Sequence, residues 1–415
     1  MASSSTPLIS YWHPDVTYDF TLRIGETDYS IYLNRVEIRT AVTIPYQHIF
    51  LDILMDPREV LLEDLFGQQP IKLIIRLKGK EPEMLEQIIF DLMYINTEGE
   101  FTPVETSYES DQMERSIVRL KTICSKPYQT MSTMVNRIFY NQTPSSIITS
   151  LFEGTGAELN YDVAGRSTLA IDQLLIPPTT LYRVVKYLNK TYGIFDGPLG
   201  FHCSFDNKVK IQNLAAKPRS AQKFSLYLLA TNQDNTKIYE SDDPGSFYTK
   251  VGITSAYQAN SIFAAAAPTR RYIVKPRNTL YKTIDINLQS FSKTYGVIEK
   301  NNPSIYYNSV TIDPEKRISY HKDQTGYDTD QTFINSNLSS IVLDMAVATT
   351  QISGNLPTLN LMEVGEMVKI ISHTDVDLKL GGSYILKASD VLFTKQTTWE
   401  SAANMYLSRT NIAEQ

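Results

Sequence analysis

The chain has 415 residues, too many for one ordinary hydrophobic core, so two or three domains are expected. Hydrophobic residues make up 42% and charged residues 20%, the balance of a globular protein, while a net charge of −6 argues against a general nucleic-acid binder, which carries a basic surface. Tyrosine is unusually frequent at 26 residues; with Thr and Ile it favours strands and large subunit contacts over a helical bundle.

Residues 1–15 read as an arm in which Trp12 and His13 anchor on a neighbour. Its opening, MASSSTPLISYW, lacks a basic segment followed by an apolar run, so no signal peptide is expected. No apolar stretch in the chain approaches the roughly 20 residues that span a bilayer, so no membrane insertion is expected and folding is placed in a cytoplasm. From Tyr18 the apolar residues alternate through Phe20, Leu22 and Ile24, turn at Gly25-Glu26-Thr27-Asp28, and resume at Ile31, Leu33, Val36 and Ile38. That pattern predicts a hairpin running on into extended chain. Further strands are predicted at residues 50–54, 71–77, 87–94 and 116–124. The preference for a strand at 87–94 rests on its β-branched and aromatic content. Together they form a first β-domain of about six strands, closed or nearly closed, over residues 1–126.

Residues 127–215 read as an α+β insert. Thr143-Pro144 starts a helix in which Ile147, Ile148, Leu151 and Phe152 share a face, with Gly154 or Gly156 beyond its end. A short extended run at 159–163 and a Gly165-Arg166 turn follow. An extended run then closes at Pro177-Pro178, and Thr179 or Thr180 caps a second helix. In that helix Leu181, Val184, Val185 and Leu188 fall at i, i+3, i+4 and i+7, and Gly193 suits the left-handed residue that ends it. Phe195, Phe201, Phe205, Val209 and Ile211 then occupy two strand-like runs, separated by a turn at Asp206-Asn207.

Residues 216–415 form a second β-domain. It opens loop-rich, with strands predicted at 271–274 and 282–288, a polar excursion at 301–337, and a strand or short helix at 341–349. Three strands close the chain at 367–372, 383–394 and 399–409, with a Gly381-Gly382 turn between the first two.

Reactive constellations are few. His321 with Asp323, and His373 with Asp375 and Asp377, pair histidine with carboxylate, but local spacing supplies too few groups for a metal or a general base. Both sit in turn-rich polar sequence and read as surface histidines. Asp242-Asp243 and Asp328-Thr329-Asp330 lack the glycine and bidentate glutamate of a calcium loop. His202-Cys203 hints at a nucleophile, yet Cys203 occupies an alternating strand position and reads as a packed thiol. The only cysteines, Cys124 and Cys203, form no stapling or ligating pattern and read as buried thiols in a reducing compartment. No Walker, G-x-S-x-G or G-x-G-x-x-G segment is present, so no catalytic, cofactor-binding or metal-ligating residue is assigned and no cofactor is expected.

Four stretches carry a resemblance: TLRIGETDYSIYLNRVEIRT with FGQQPIKLIIRLKG; residues 143–159; residues 174–214; and the ending Val364-Gly365-Glu366-Met367-Val368, then residues 380–386 and Leu407-Ser408-Arg409. In this order the chain resembles the central baseplate hub protein of contractile-tailed bacteriophages and the related hub part of type VI secretion spikes. The resemblance implies a homotrimer in which each subunit supplies two similar small β-barrel domains, so that three subunits form a pseudo-hexameric ring. Such a ring matches a six-fold tail tube, or a distal tail protein, on one side and a three-fold central spike on the other. The fold class implied is mainly β with an α+β insert. The function implied is structural, not enzymatic: a virion tail-baseplate component that contacts other baseplate proteins, lines the channel for DNA exit and binds no nucleic acid specifically. A neutral to acidic bore follows from the acidic balance, since a basic lining holds phosphates. Two other classes compete: a receptor-facing tail-tip binding protein, whose signature is exposed aromatics such as Tyr306-Tyr307 and Tyr320, and a baseplate-associated cell-wall hydrolase.

Overall fold

The structure, a computed structural model, describes residues 17–55, 69–78, 84–97, 102–103, 116–163, 165–168, 170–195, 197–214, 222–228, 246–248, 270–274, 281–287, 292–298, 311–312, 347–353, 359–372 and 382–412. The expected arm, the pairs at His321 and His373, the acidic runs at Asp242 and Asp328, and the aromatics Tyr306, Tyr307 and Tyr320 lie outside the described residues.

The first half is built of β1 (Thr17–Ile24), β2 (Thr27–Asp28), β3 (Leu33–Ala41), β4 (Ile44–Met55), β5 (Ile71–Lys78), β6 (Met84–Thr97), β7 (Thr102–Pro103) and β8 (Ser116–Cys124). The alternation seen in the sequence is the alternation of burial: Tyr18, Phe20, Leu22 and Ile24 of β1 point into the core while their neighbours do not. Gly25 takes φ of +58° at the turn, a conformation that favours glycine. Strand β6 is a strand throughout, paired to β5 from Ile71↔Leu92 onward.

The insert comprises α1 (Ser125–Ser132), β9 (Met134–Gln142), α2 (Pro144–Glu153), β10 (Leu159–Tyr161), β11 (Ile171–Thr180), α3 (Leu181–Tyr192), β12 (Leu199–Cys203) and β13 (Val209–Asn213). It has a hydrophobic cluster of its own, in which Ile147, Ile148 and Phe152 of α2 meet Leu181, Val184, Val185 and Leu188 of α3. Thr143 caps α2 as its pattern predicts, its hydroxyl accepting from the Ser146 N–H at 3.2 Å. Thr180 stands at the N-cap of α3 but makes no side-chain capping bond. Gly193 ends α3 at φ of +75°, its N–H donating to Leu188 and Asn189. The Pro177-Pro178 pair does not close the preceding strand: β11 runs through it to Thr180, antiparallel to β9. The register slips between Ile176 and Thr179, so the two residues without N–H groups fall where the ladder is interrupted. Neither α1 nor β9 was legible as an element in the sequence.

The remainder contributes β14 (Gln222–Leu228), β15 (Ser246–Tyr248), β16 (Arg270–Val274), β17 (Tyr281–Asn287), β18 (Ser292–Ile298), β19 (Thr311–Ile312), β20 (Val347–Ser353), β21 (Met367–Ser372), β22 (Gly382–Lys395) and β23 (Trp399–Ile412). Strands β16 to β19 form a separate four-stranded sheet in the order β18-β17-β16-β19. Of the polar excursion at 301–337, only β19 is described.

The chain is mainly β with mostly antiparallel pairing, but no closed barrel is found among the described residues. Strands of both expected β-domains belong to one continuous 14-stranded sheet, because β22 pairs with strands of each. One edge of β22 pairs with β23 along its length. The other edge pairs with β21 from Gly382 to Ile385 and with β3 of the first half from Ala388 to Thr394. A register shift between Leu386 and Ala388 marks the change of partner, and there the Val42 N–H donates to the Lys387 carbonyl at 2.9 Å. A 14-residue strand is long enough to be shared in this way, and one core follows from it: Phe20 of β1 packs on Phe393 of β22 and Trp399 of β23.

Candidate functional site

Two faces of the main sheet differ in chemistry. The inner face is the apolar core. The outer face of β3, β4, β8 and β22 carries charge, and the strand registers set it in rows. Asp390, Arg39, His48, Ile123 and Met93 lie side by side across β22, β3, β4, β8 and β6. Leu392, Glu37, Phe50 and Lys121 form the next row, and Thr394, Arg35, Asp52 and Arg119 the third.

Glu37 is 6% exposed and sits at the centre of these rows. Its carboxylate accepts from Arg35 Nη2 at 3.0 Å, Arg39 Nε at 2.6 Å and Arg119 Nη2 at 2.6 Å. Arg35 and Arg119 also reach Asp52, at 3.9 and 3.6 Å. Burial pushes the Glu37 carboxyl up, but the Arg39, Arg119 and Arg35 guanidiniums outweigh it and hold the group below the usual glutamate value. Asp52 and Asp390 go the other way: burial raises both despite the nearby arginines. Phe50, 4% exposed, lies under this layer, with the Arg39 and Arg119 guanidinium carbons 4.5 and 5.1 Å and the Lys121 ammonium 5.7 Å from its ring centroid. Three guanidiniums on one buried carboxylate hold the strands in register and present a charged surface without a titrating nucleophile.

Where the charged rows end, a cleft of about 260 Å³ opens between β4, β6, β8 and α1, lined by Tyr46, His48, Met93, Tyr94, Ile95, Ile123 and Tyr128. Its shape comes from a bulge. The pairing of β6 with β8 slips between Tyr94 and Asn96, leaving Ile95 as an extra residue, 42% exposed. Tyr46 meets Tyr128 edge-on at 5.5 Å and His48 at 5.3 Å. Burial, with the charges of Lys121 and Arg39, keeps the His48 imidazole below its ordinary value and so neutral at pH 7.

The sequence-level candidate pair His202-Cys203 lies in β12, buried against the main sheet. Gln47 Nε2 donates to the Cys203 and Ser204 carbonyls at 3.0 and 2.9 Å, and burial pushes the Cys203 thiol up to about 12. Burial drives Cys124 still higher. Such thiols stay protonated and unreactive. Among the described residues no three His, Cys, Asp or Glu side chains are grouped to hold a metal, and no helix is long and apolar enough to cross a membrane. The charged rows and the cleft were missed in the sequence because they join strands far apart in the chain; the polar members of β3, Arg35, Glu37 and Arg39, were the one local sign.

No protein-family description matches the sequence. No curated protein does either. Solved structures do. The 43 kDa tail protein of prophage MuSo2 from Shewanella oneidensis aligns with a TM-score of 0.52 at 11% identity, over 94% of this chain and 98% of that one. The tail protein from Neisseria meningitidis MC58 aligns with a TM-score of 0.55 at 9% identity, over 95% of this chain and 98% of that one. This chain has the fold of those tail proteins. Within the tail-protein fold, the stretches behind the sequence resemblance are β1 to β3 with β5, helix α2, helix α3 with β12 and β13, and the closing strands β21 to β23.

Proposed function

We propose that this chain is a structural hub of a phage-type tail baseplate. The observation that carries the reading is the alignment of nearly the whole chain, sheet and insert together, with nearly the whole of two tail proteins. In this reading the protein is a homotrimer that joins a six-fold tail tube to a three-fold central spike, surrounds the channel for DNA exit and resides in the virion, with other baseplate proteins at its rim. Each subunit contributes three units: residues 1–126, an insert at 127–215 and residues 216–415. The separate hydrophobic cluster of the insert supports the middle unit. The shared strand β22 joins the outer two through one sheet, which suits a structural part. The buried, protonated thiols and the arginine-locked carboxylate favour a mechanical over a catalytic role.

Light scattering on the purified chain, alone and with its tube and spike neighbours, tests the assembly. A trimer in either preparation supports the hub, whereas a monomer in both at high concentration overturns it. Clearing of purified cell wall by the same sample, lost on no single-residue change in a co-purifying enzyme, replaces the structural reading with a hydrolase.

A further inference from the structure

The cleft at the end of the charged rows is built differently from the rest of the sheet's outer face. Around Glu37 and Phe50 that face is covered by guanidinium groups. Here a strand bulge turns Ile95 outward, α1 brings Tyr128 over the opening, and three tyrosines, Met93 and Ile123 line the walls. Along β6 the same outer face carries exposed Asp91 next to Met93, paired across to Lys72, and beyond it Ile89, 38% exposed. On the other side the cleft meets cations: Arg39 is the cross-strand neighbour of His48, and Lys121 lies one row along on β8. Across β22, β3, β4 and β8 the face bears Arg35, Arg39, Arg119 and Lys121 against Glu37, Asp52 and Asp390, so cations outnumber carboxylates by one there in a chain that is acidic overall. The Nδ1 atom of His48 is buried with no hydrogen-bond partner among the described residues.

Size selects the occupant. A cavity of about 260 Å³ is smaller than the roughly 300–1,000 Å³ of sites that enclose small-molecule ligands, and it fits one large side chain. Tyrosine walls offer edge-to-face partners to an aromatic ring, and the Met93 thioether is a favourable ring neighbour. A buried aromatic anchor ringed by polar contacts is the usual energetic centre of a protein interface.

We propose that this cleft receives a single aromatic side chain from an acidic segment of another tail protein, with the adjacent carboxylate of that segment meeting Arg39 and Lys121 and a polar atom of its backbone meeting His48. The inference rests on the hub reading insofar as it supposes a tail partner. The anchor desolvates the tyrosines; the carboxylate sets the direction in which the segment lies. A basic segment is repelled from the same seat.

The test uses the full chain with labelled Met and Ile methyl groups and three probes: the N-acetyl dipeptide amides Phe-Glu, Phe-Lys and Ala-Glu. Phe-Glu is expected to shift the Met93, Ile95 and Ile123 methyl signals at millimolar concentration, at least five-fold more tightly than either other probe. Ile95→Asp or Tyr128→Ala is expected to weaken that response at least five-fold, with the remaining methyl signals unmoved as the check on folding. Equal binding of Phe-Lys, tighter binding of free indole than of Phe-Glu, or no shift at these three methyls up to 10-fold the expected concentration overturns the proposal. Because the readout is local, it is independent of whether the chain forms a trimer.

Discussion

Gly365 allows the sharpest quantitative test of the junction between the insert and the main sheet. It follows β-domain residue Val364, takes φ of +80°, and is pinned by its N–H bond to the Leu386 carbonyl at 2.7 Å. A Cβ at this position stands 1.9 Å from Gln212 Nε2 and 2.9 Å from His202 Cε1. Gln212 has little room to retreat, because on its other side it crowds Gly200, where a Cβ comes within 2.9 Å of Gln212 Cγ. Gly365→Ala therefore incurs two costs. The left-handed conformation costs an L side chain about 1–2 kcal/mol, and overpacking a filled junction costs about 1–3 kcal/mol. The expected loss is about 2–5 kcal/mol, read as a fall in the urea midpoint at unchanged slope. Gln212→Ala removes the nearest clash, so the double variant is expected to recover the overpacking part and retain the conformational part. A favourable coupling of about 1 kcal/mol or more in the double-mutant cycle is the signature. A Gly365→Ala protein within about 0.5 kcal/mol of the parent, or a cycle with no coupling, refutes the close approach of the two units.

Two further expectations concern charge and capping. Glu37→Gln leaves three guanidiniums around a neutral amide and is expected to cost about 3 kcal/mol at pH 7, whereas Asp390→Asn is expected to be neutral or stabilising there, as compared by urea denaturation. The signs follow from the shifts. Glu37 is held below its ordinary value, so its stabilisation is present above pH about 4.3 and is lost as the pH falls through the lower folded value. Asp390 is held above its ordinary value, so the unfolded chain gives up that proton more readily and the native state loses stability as the pH rises through that window. A pH profile of unfolding in which Glu37→Gln and Asp390→Asn alter the acid limb in the same direction contradicts the assignment. In the insert, Thr143→Ala is expected to cost about 1 kcal/mol through the lost cap of α2, and Thr180→Ala only a few tenths, about 0.3 kcal/mol, since that hydroxyl caps nothing. Equal losses in thermal unfolding refute the distinction.

The sequence by itself determined the local elements that obey a short period. Alternating apolar residues in β1, the i, i+3, i+4, i+7 stripe of α3 and the Thr143-Pro144 start of α2 are each set by neighbours a few residues away, and the structure follows them. By contrast Ile31, expected in the next extended run, sits in a turn at 74% exposure, and a register shift between Leu33 and Arg35 breaks the alternation of β3. Gly193 was legible as the residue that ends a helix. Two short-range signals misled: Pro177-Pro178 suggested an end where the strand accommodates a register slip, and α1 and β9 left no pattern strong enough to see. Only the tertiary structure decided that the halves share one sheet. Nothing local in residues 382–395 says that the strand will take β21 for its first part and β3 for its second, because strand partners are chosen over hundreds of residues by the packing of Phe393 and its neighbours against β1. The outer-face rows have the same origin. Glu37 reaches Arg119 across 82 residues of sequence, and the cleft needs a bulge in β6, a histidine in β4 and a tyrosine in α1 to coincide. Local period sets which side of a strand is apolar; long-range register sets which side chains become neighbours, and the charged face and its cleft belong to the second.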